Sequence, residues 1–312
     1  MAGTLTSLAP VFALIALGYL LKARGVFGAG FWEGAERLTF YFLFPALLVV
    51  SIGGADVGGL AVLPMAAALA SATLIVAAAL VWLRSRLAAR GVDGRQFASV
   101  LQGAVRPNTY VGIAVLVALY GDTGLPLAAV AIVAVIPLVN FLGIIAHLRW
   151  ARPTPGGAAA PAWGEAAVPA LKNPIIVACL VGAALNALGI GLPPVVGPAL
   201  AILGRAALPI GLMAVGAGLD LAAARDARHV VAGTALVKLV VMPAAVVAAC
   251  SVFGVDGVTR SAAILFAALP VSATAYVVST QMGGDSRLMA GVVAATTVAA
   301  AATLPLAVML AG

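Results

Sequence analysis

The sequence predicts an all-α polytopic membrane protein of ten transmembrane helices, arranged as two inverted five-helix repeats in which helices four and nine are broken. Three observations predict it. Of 312 residues, 64% are hydrophobic and only 9% are charged, with a mean hydropathy of +1.18, where a soluble domain carries about 25% charged residues. Apolar stretches of about 20 residues, enough to cross a ~30 Å hydrocarbon core, recur along the whole chain. Finally, proline and glycine positions in the first half return in the second at an almost fixed displacement.

The spans fall near residues 4–22, 34–52, 60–83, 97–120, 125–148, 170–189, 197–220, 230–253, 258–281 and 288–311. Lipid offers no hydrogen bonds to the backbone, so each stretch is read as helix. The loops after the odd-numbered spans hold Lys22, Arg24, Arg84, Arg86, Arg90, Arg95, Arg149, Arg152, Lys172, Arg225, Arg228 and Arg287. The loops after the even-numbered spans hold no basic residue by these boundaries, and Arg260, just inside span nine, is the nearest exception. The positive-inside rule therefore puts the odd loops in the cytoplasm and both termini outside. Because Lys22 and Arg24 follow the first apolar segment and do not precede it, that segment reads as an uncleaved first helix. These features predict a multi-pass protein of an inner membrane.

The net charge of +7 and a pI near 10.0 raise nucleic acid as a partner. The basic residues lie in short loops and form no contiguous run, so the expected partner is the lipid bilayer, with no nucleic acid. Cys179 and Cys250 both fall inside apolar spans and read as small packing residues. The Pro/Gly/Ala-rich stretch from Pro153 to Glu165 cannot hold a stable helix and reads as a linker. Hence the predicted organisation is a first repeat at 1–148, a cytoplasmic linker at 149–168 and a second repeat at 169–312.

The repeat is carried by pairs. Pro10 and Pro174, Gly18 and Gly182, Gly25 and Gly189, Pro45 and Pro209, and Asp56 and Asp220 are each 164 residues apart. Pro107 and Pro270, Gly121 and Gly284, and Asp122 and Asp285 are each 163 apart. Five spans per half is an odd number, so the second copy enters the membrane from the opposite side.

Pro107 and Pro270 sit near the middle of spans four and nine, where proline removes a backbone hydrogen bond and collides with the preceding turn. Polar residues follow each: Asn108, Thr109 and Tyr110 after Pro107, and Ser272, Thr274 and Tyr276 after Pro270 and Val271. If both helices unwind there, two helix N-termini begin near mid-membrane, each with about half a positive charge and unpaired N–H groups, a site suited to a carboxylate. The alternative is a pair of ordinary kinks; the matched pair favours the break. For Arg106 two readings stand, counter-ion to an anionic substrate or cap on the preceding half-helix. Lys238 is open among substrate binding, a change of protonation and packing against half-helix carbonyls. Asn140 lines the site or bonds between helices. Gln102 is a further residue for coupling or charge compensation, and His147 reads as interfacial.

Five segments carry a family resemblance: ERLTFYFLFPALLVVSI at 36–52, RPNTYVGIAVLVALYGD at 106–122, LKNPIIVACLVGAALNALGI at 171–190, LPIGLMAVGAGLDL at 208–221, and ALPVSATAYVVSTQMGGDSRLMAGV at 268–292 with TLPLAVML at 303–310. By these the chain resembles the auxin efflux carrier family, in its bacterial branch, and is similar to the plant PIN-formed exporters. The resemblance implies a ten-helix fold shared with bile acid sodium symporters, in which spans four and nine cross. It implies a scaffold of spans one, two, six and seven through which a homodimer forms, and alternating access of elevator type. It assigns substrate contact to Asn108 after Pro107 and to the segment after Pro270. The implied substrates are small organic anions such as malate, malonate or indole-3-acetate. In place of the acidic and basic residues of the plant exporters' third span stand Ala72 and Val76.

The function expected is secondary active transport or facilitated carriage of small organic anions, without cofactor, with H+ or Na+ as the open choices of coupling ion. Three alternatives are a sodium-coupled symporter of the bile-acid type, a channel and a non-transporting sensor. An enzyme is not expected. The one catalytic candidate, a dyad of Asp122 and Asp285, is excluded because the predicted topology puts the two on opposite sides of a ~30 Å core. No metal-ligand cluster, nucleotide-binding loop or triad spacing occurs in the sequence.

Overall fold

The computed structural model describes residues 2–55, 61–151 and 173–311. Asp56, Arg152, Lys172 and most of the predicted linker lie outside the described residues. Seventeen α-helices, and no strand, occupy the described residues. In chain order they are α1 (Ala2–Ala23), α2 (Ala29–Leu38), α3 (Phe44–Gly53), α4 (Val62–Trp82), α5 (Arg84–Ala89), α6 (Gly94–Val105), α7 (Thr109–Tyr120), α8 (Gly124–Ala146) and α9 (Pro174–Ala187). After these come α10 (Val196–Arg205), α11 (Ala207–Ala217), α12 (Ala223–Asp226), α13 (Arg228–Leu236), α14 (Met242–Phe253), α15 (Gly257–Ala267), α16 (Thr274–Gln281) and α17 (Ser286–Ala311).

Seven helical runs among the described residues are long and apolar enough to cross a membrane: Thr6–Ala23, Gly30–Gly53, Val62–Trp82, Thr109–Ala151, Val196–Ala217, Arg228–Phe253 and Ser286–Met309. That is fewer than the ten predicted spans, for physical reasons that can be named. The run Thr109–Ala151 is 43 residues long, twice what a bilayer needs. It is divided by a 3₁₀ turn at Gly121–Thr123, where Gly121 adopts φ +57. Predicted spans four and nine are each split into pieces of 12 residues or fewer, and α9 spans only 14. The exposed side chains suit lipid: Leu63, Val252 and Trp82 are 80%, 80% and 70% exposed.

Among the described residues three turns widen to π geometry, at Thr39–Leu43, His147–Ala151 and Val237–Val241. Two of them run into a proline at the second position of the next helix, Pro45 in α3 and Pro243 in α14. Proline cannot donate to the carbonyl four residues back and its ring crowds that oxygen; one extra residue in the turn relieves both.

The chain forms two compact units, each drawing on both halves of the sequence. The first comprises Met1–Leu60, Thr109–Val133 and Leu171–Leu219. In it α1 packs along α11, and α3 packs on α9 and α10. Glycine sets the closest crossing. A Cβ on Gly18 of α1 would overlap the Met213 carbonyl, and one on Gly216 of α11 would overlap the Ile15 carbonyl. The small-residue face from Gly211 to Gly218 is therefore used, at Gly216, for an internal contact. Gly216→Val should lower stability by at least about 1–3 kcal/mol, because the obstacle is backbone and no rotamer change relieves it. Thermal unfolding in detergent reads this; an unchanged midpoint would contradict the crossing.

The second unit comprises Ala61–Asn108, Ala134–Ala170 and Asp220–Gly312. Here α4 packs on α14, and α17 packs against α6, α12, α13, α15 and α16. Helix α6 opens on a capping box, the Asp93 carboxylate accepting from the Gln96 N–H at 2.8 Å while the Gln96 side chain accepts from the Asp93 N–H. It stops at Arg106, whose φ −86 and ψ 111 are extended. Helix α15 stops at Ala267, and α16 does not begin until Thr274. Both interruptions fall where the two prolines predict them.

Candidate anion site at two helix breaks

The second unit brings its two breaks into contact. Pro107 and Val271 pair as a single antiparallel rung, closed by the Asn108 N–H donating to the Pro270 carbonyl at 2.8 Å. The Val271 N–H donates to Thr296 Oγ1 at 3.1 Å, and the Arg106 N–H closes the last turn of α6 on the Gln102 carbonyl at 3.0 Å. These bonds take up N–H groups that lie outside helix, which is what lets extended backbone persist in a buried position.

Arg106 is buried, and its guanidinium is held from two other elements. Nε donates to Thr274 Oγ1 at 3.2 Å, and one terminal nitrogen donates to Asn140 Oδ1 at 2.8 Å. Ser272 Oγ and Thr274 Oγ1 are 2.8 Å apart. Thr274 is the first residue of α16, so the cation sits at the positive end of a helix dipole, where a cation is disfavoured. Arg106 holds the C-cap position of α6 by its backbone, but its side chain reaches to other elements. Nothing negative offsets this. Among the described residues the buried polar side chains include no aspartate or glutamate, and the only ion pairs are Arg37–Glu33 and Arg287–Asp226.

Lys238, 1% exposed, occupies the π turn before α14 and donates from Nζ to the Ala267 carbonyl at 2.8 Å. Ala267 is the last residue of α15, so of the three readings open to Lys238 the geometry matches packing against half-helix carbonyls, where a cation is favoured. Beside it lies a cavity of about 10 Å³ lined by Thr73, Pro107, Val135, Phe266 and Ala267, room for about one water.

Of the other predicted site residues, Thr109 and Tyr110 belong to the first unit, where the Tyr110 ring stacks on Phe44 at 4.4 Å. Tyr276 is 44% exposed, unlike Pro270 and Val271, which are buried. Gln102 and His147 are placed elsewhere. Both are fully buried and share a second polar cluster with Ser99 and Ser279. His147, read from the sequence as interfacial, is buried within the protein: the ring is packed under Gly284, which has no Cβ to strike Nε2. Asp285 caps α17, its Oδ1 accepting from the Leu288 N–H at 2.9 Å.

The second cluster was missed, although one signal pointed to it. Arg95, Ser99, Gln102 and Arg106 recur at helical spacing along a segment that after Gln96 is otherwise apolar, which draws a polar stripe down one face of α6.

Two comparisons bear on identity. The sequence model of the membrane transport protein family matches residues 4–152 and 165–308. The chain belongs to the membrane transport protein family. Over 312 residues it is also 26% identical to an uncharacterized transporter of the archaeon Methanothermobacter thermautotrophicus, covering 97% of both chains. The family and this relative make the chain a transporter of the membrane, multi-pass by its several apolar helices. In this family member the breaks at Pro107 and Pro270, with Arg106 between Asn140 and Thr274, bring a buried charge to non-helical backbone.

Proposed function

We propose that this member of the membrane transport protein family is a secondary active transporter or facilitated carrier of small organic anions, with carboxylates such as malate, malonate or auxin-like monocarboxylates as the substrate class. The observation that carries the reading is the Arg106 guanidinium, buried at the N-terminal end of α16 and held only by neutral side chains, Asn140 and Thr274. A buried cation beside a positive helix end, with no carboxylate among the described residues paired to it, favours binding of one negative charge, which a carboxylate supplies.

Asn140, Thr274 and Ser272 then orient the guanidinium, and its fork gives a carboxylate two parallel hydrogen bonds. Pro107, Asn108, Pro270 and Val271 keep the backbone open beside it, Tyr276 extends the site, and Lys238 balances the carbonyl end of α15. Ten spanning helices in two inverted repeats, with breaks four and nine crossing, provide alternating access of elevator type. Support comes from the paired breaks and from matched Gly25 and Gly189, whose φ values are 64 and 63. Homodimerisation through helices one, two, six and seven, residence in a bacterial inner membrane and outward termini belong to the same proposal.

The direct experiment is a thermal-shift screen of the purified protein against mono- and dicarboxylates. A stabilising carboxylate should lose at least about tenfold in affinity with Asn108→Ala, as expected of a site that loses a buried hydrogen bond to a charged ligand. Binding indifferent to Asn108 and Arg106 would move the site elsewhere. Saturable counterflow of that carboxylate from proteoliposomes separates a carrier from a pore.

A further inference from the structure

The second polar cluster of the same unit carries a consequence for coupling. His147 lies in the π turn after α8 and is fully buried. Its Nδ1 is 2.7 Å from the Gly143 carbonyl. A carbonyl oxygen only accepts, so Nδ1 holds the ring's hydrogen and Nε2 faces the cluster with a lone pair. Nε2 is 3.3 Å from Ser279 Oγ on α16. That same hydroxyl is 3.3 Å from Gln102 Oε1 and 3.3 Å from Ser99 Oγ, both on α6. Ser99 is already committed, donating to the Asp285 carbonyl at 3.2 Å and accepting from the Asp285 N–H at 3.0 Å.

Ser279 has one proton and two unmet acceptors, and this decides the state of the cluster. With the ring neutral and the amide in its present orientation, the Ser279 hydroxyl turns to Nε2 and leaves Gln102 Oε1 with no donor, beside an Nε2 that also has no partner in this fully buried residue, a costly arrangement. The amide turned over would donate to Ser279 Oγ and leave the ring neutral, so the proton on the His147 Nε2 is what separates the two arrangements. Adding that proton resolves the first. Nε2–H then donates to Ser279 Oγ, the Ser279 hydroxyl swings to Gln102 Oε1, and the donors run in one direction from ring to serine to amide. Hydronium in the solution supplies the proton: its O–H bond breaks, releasing water, as the Nε2–H bond forms, and no covalent bond of the protein breaks.

The surrounding charges leave this imidazolium uncompensated by protein. Arg95, on α6, spends its guanidinium on the Gly283 and Gly284 carbonyls at 3.0 and 3.2 Å. Asp285, in the turn between α16 and α17, uses its carboxylate to cap α17. Arg287 on α17 pairs with Asp226, and Arg149 in the ring's own turn is exposed. From α16 no titratable group faces the ring, and among the described residues no carboxylate pairs with it. Along the chain of α6 the next cation is Arg106, one turn beyond Gln102. Like charges oppose one another, and an anion bound at Arg106 removes that opposition.

We infer that His147, with Ser279 and Gln102, is a proton-binding site coupled to the anion site, so that the transporter carries its anion together with a proton. The inference rests on the anion reading above and names the coupling ion for it. Binding linkage makes the coupling reciprocal: the proton raises anion affinity by the factor by which the anion raises proton affinity, about tenfold for charges roughly 10 Å apart at an effective dielectric near 20. Helices α6 and α16 carry both sites, so the two binding events bias the same pair of half-helices.

The test uses the full chain in lipid nanodiscs with ¹⁵N-labelled histidine. The protein has only two histidines, and His229→Gln identifies the other signal. His147 should show Nδ1–H with a bare Nε2 at pH 8 and gain a proton on Nε2 by pH 5, with Ser279→Ala changing the midpoint. A carboxylate that binds wild type and fails to bind Arg106→Gln should bind about tenfold more tightly at pH 5 than at pH 8, and His147→Gln, which keeps a donor toward Ser279 but cannot titrate, should abolish that difference. A ring that keeps a bare Nε2 across this range overturns the proposal, and wild-type spectra decide that without any variant. Equal affinity at both pH values in wild type overturns the coupling. If Nε2 gains its proton while no carboxylate in the screen binds in an Arg106-dependent way, the anion reading falls and the proton site stands.

Discussion

Arg106→Gln should reduce carboxylate affinity by about 30-fold or more while leaving the protein folded. The size follows from removing the charged member of a buried, hydrogen-bonded ion pair with the ligand, which costs 2–5 kcal/mol or more, or about 30-fold at the low end. The stability half of the expectation has the opposite sign from intuition. In the unloaded protein Arg106 is a buried cation with no protein carboxylate, so replacing it removes a desolvation cost. A glutamine amide still offers a donor toward Asn140 Oδ1, now 2.8 Å from the guanidinium. The unloaded thermal midpoint should therefore stay or rise. Arg106→Lys should fall between wild type and glutamine, since it keeps the charge and loses the planar fork. Binding by titration calorimetry and unfolding by thermal shift read the two quantities apart. Undiminished affinity in Arg106→Gln would remove the guanidinium from the site.

Lys238 should behave in the reverse way. Its Nζ is bonded to the Ala267 carbonyl at the end of α15, and its long stem is among the largest fully buried side chains in the protein. Lys238→Ala would leave that carbonyl unmet, at about 1–3 kcal/mol, and open a cavity of the size that costs about 2–5 kcal/mol for other large-to-alanine changes. Allowing for overlap between these terms, a loss of about 3 kcal/mol or more is expected. Lys238→Met keeps the volume and removes the buried charge, so it should cost much less, within about 1.5 kcal/mol of wild type. Denaturation in mild detergent checks the pair. If alanine and methionine cost the same, packing around the stem is not what Lys238 contributes. If methionine also eliminates anion binding, Lys238 contacts the ligand and the capping account fails.

Against these expectations, the legibility of the site can be judged residue by residue. Pro107 and Pro270 were readable because proline's missing N–H and fixed ring act on the backbone of their own segment, whatever packs around them. Arg106 and Lys238 were readable as anomalies, since a charge in an apolar span demands an explanation. Their partners were not readable. Nothing in the sequence ties Arg106 to Asn140, 34 residues on, or to Thr274, 168 residues on. The surroundings of His147 were not readable either: its place at the end of an apolar run gave no sign that α6, α16 and the Gly284 turn close over the ring.

The sequence by itself determined the solvent, the secondary structure and the points of rupture. Composition over 312 residues excludes water as the main environment, lipid then forces helix, and two prolines interrupt it. Each of these follows from the covalent chemistry of a residue acting on its own neighbours. Tertiary structure alone decided which cation faces which break, that Lys238 finds the end of α15, and that one serine hydroxyl stands between a histidine and a glutamine. Those facts depend on contacts between residues as many as 189 positions apart, and such contacts are fixed by packing geometry, which no local pattern encodes.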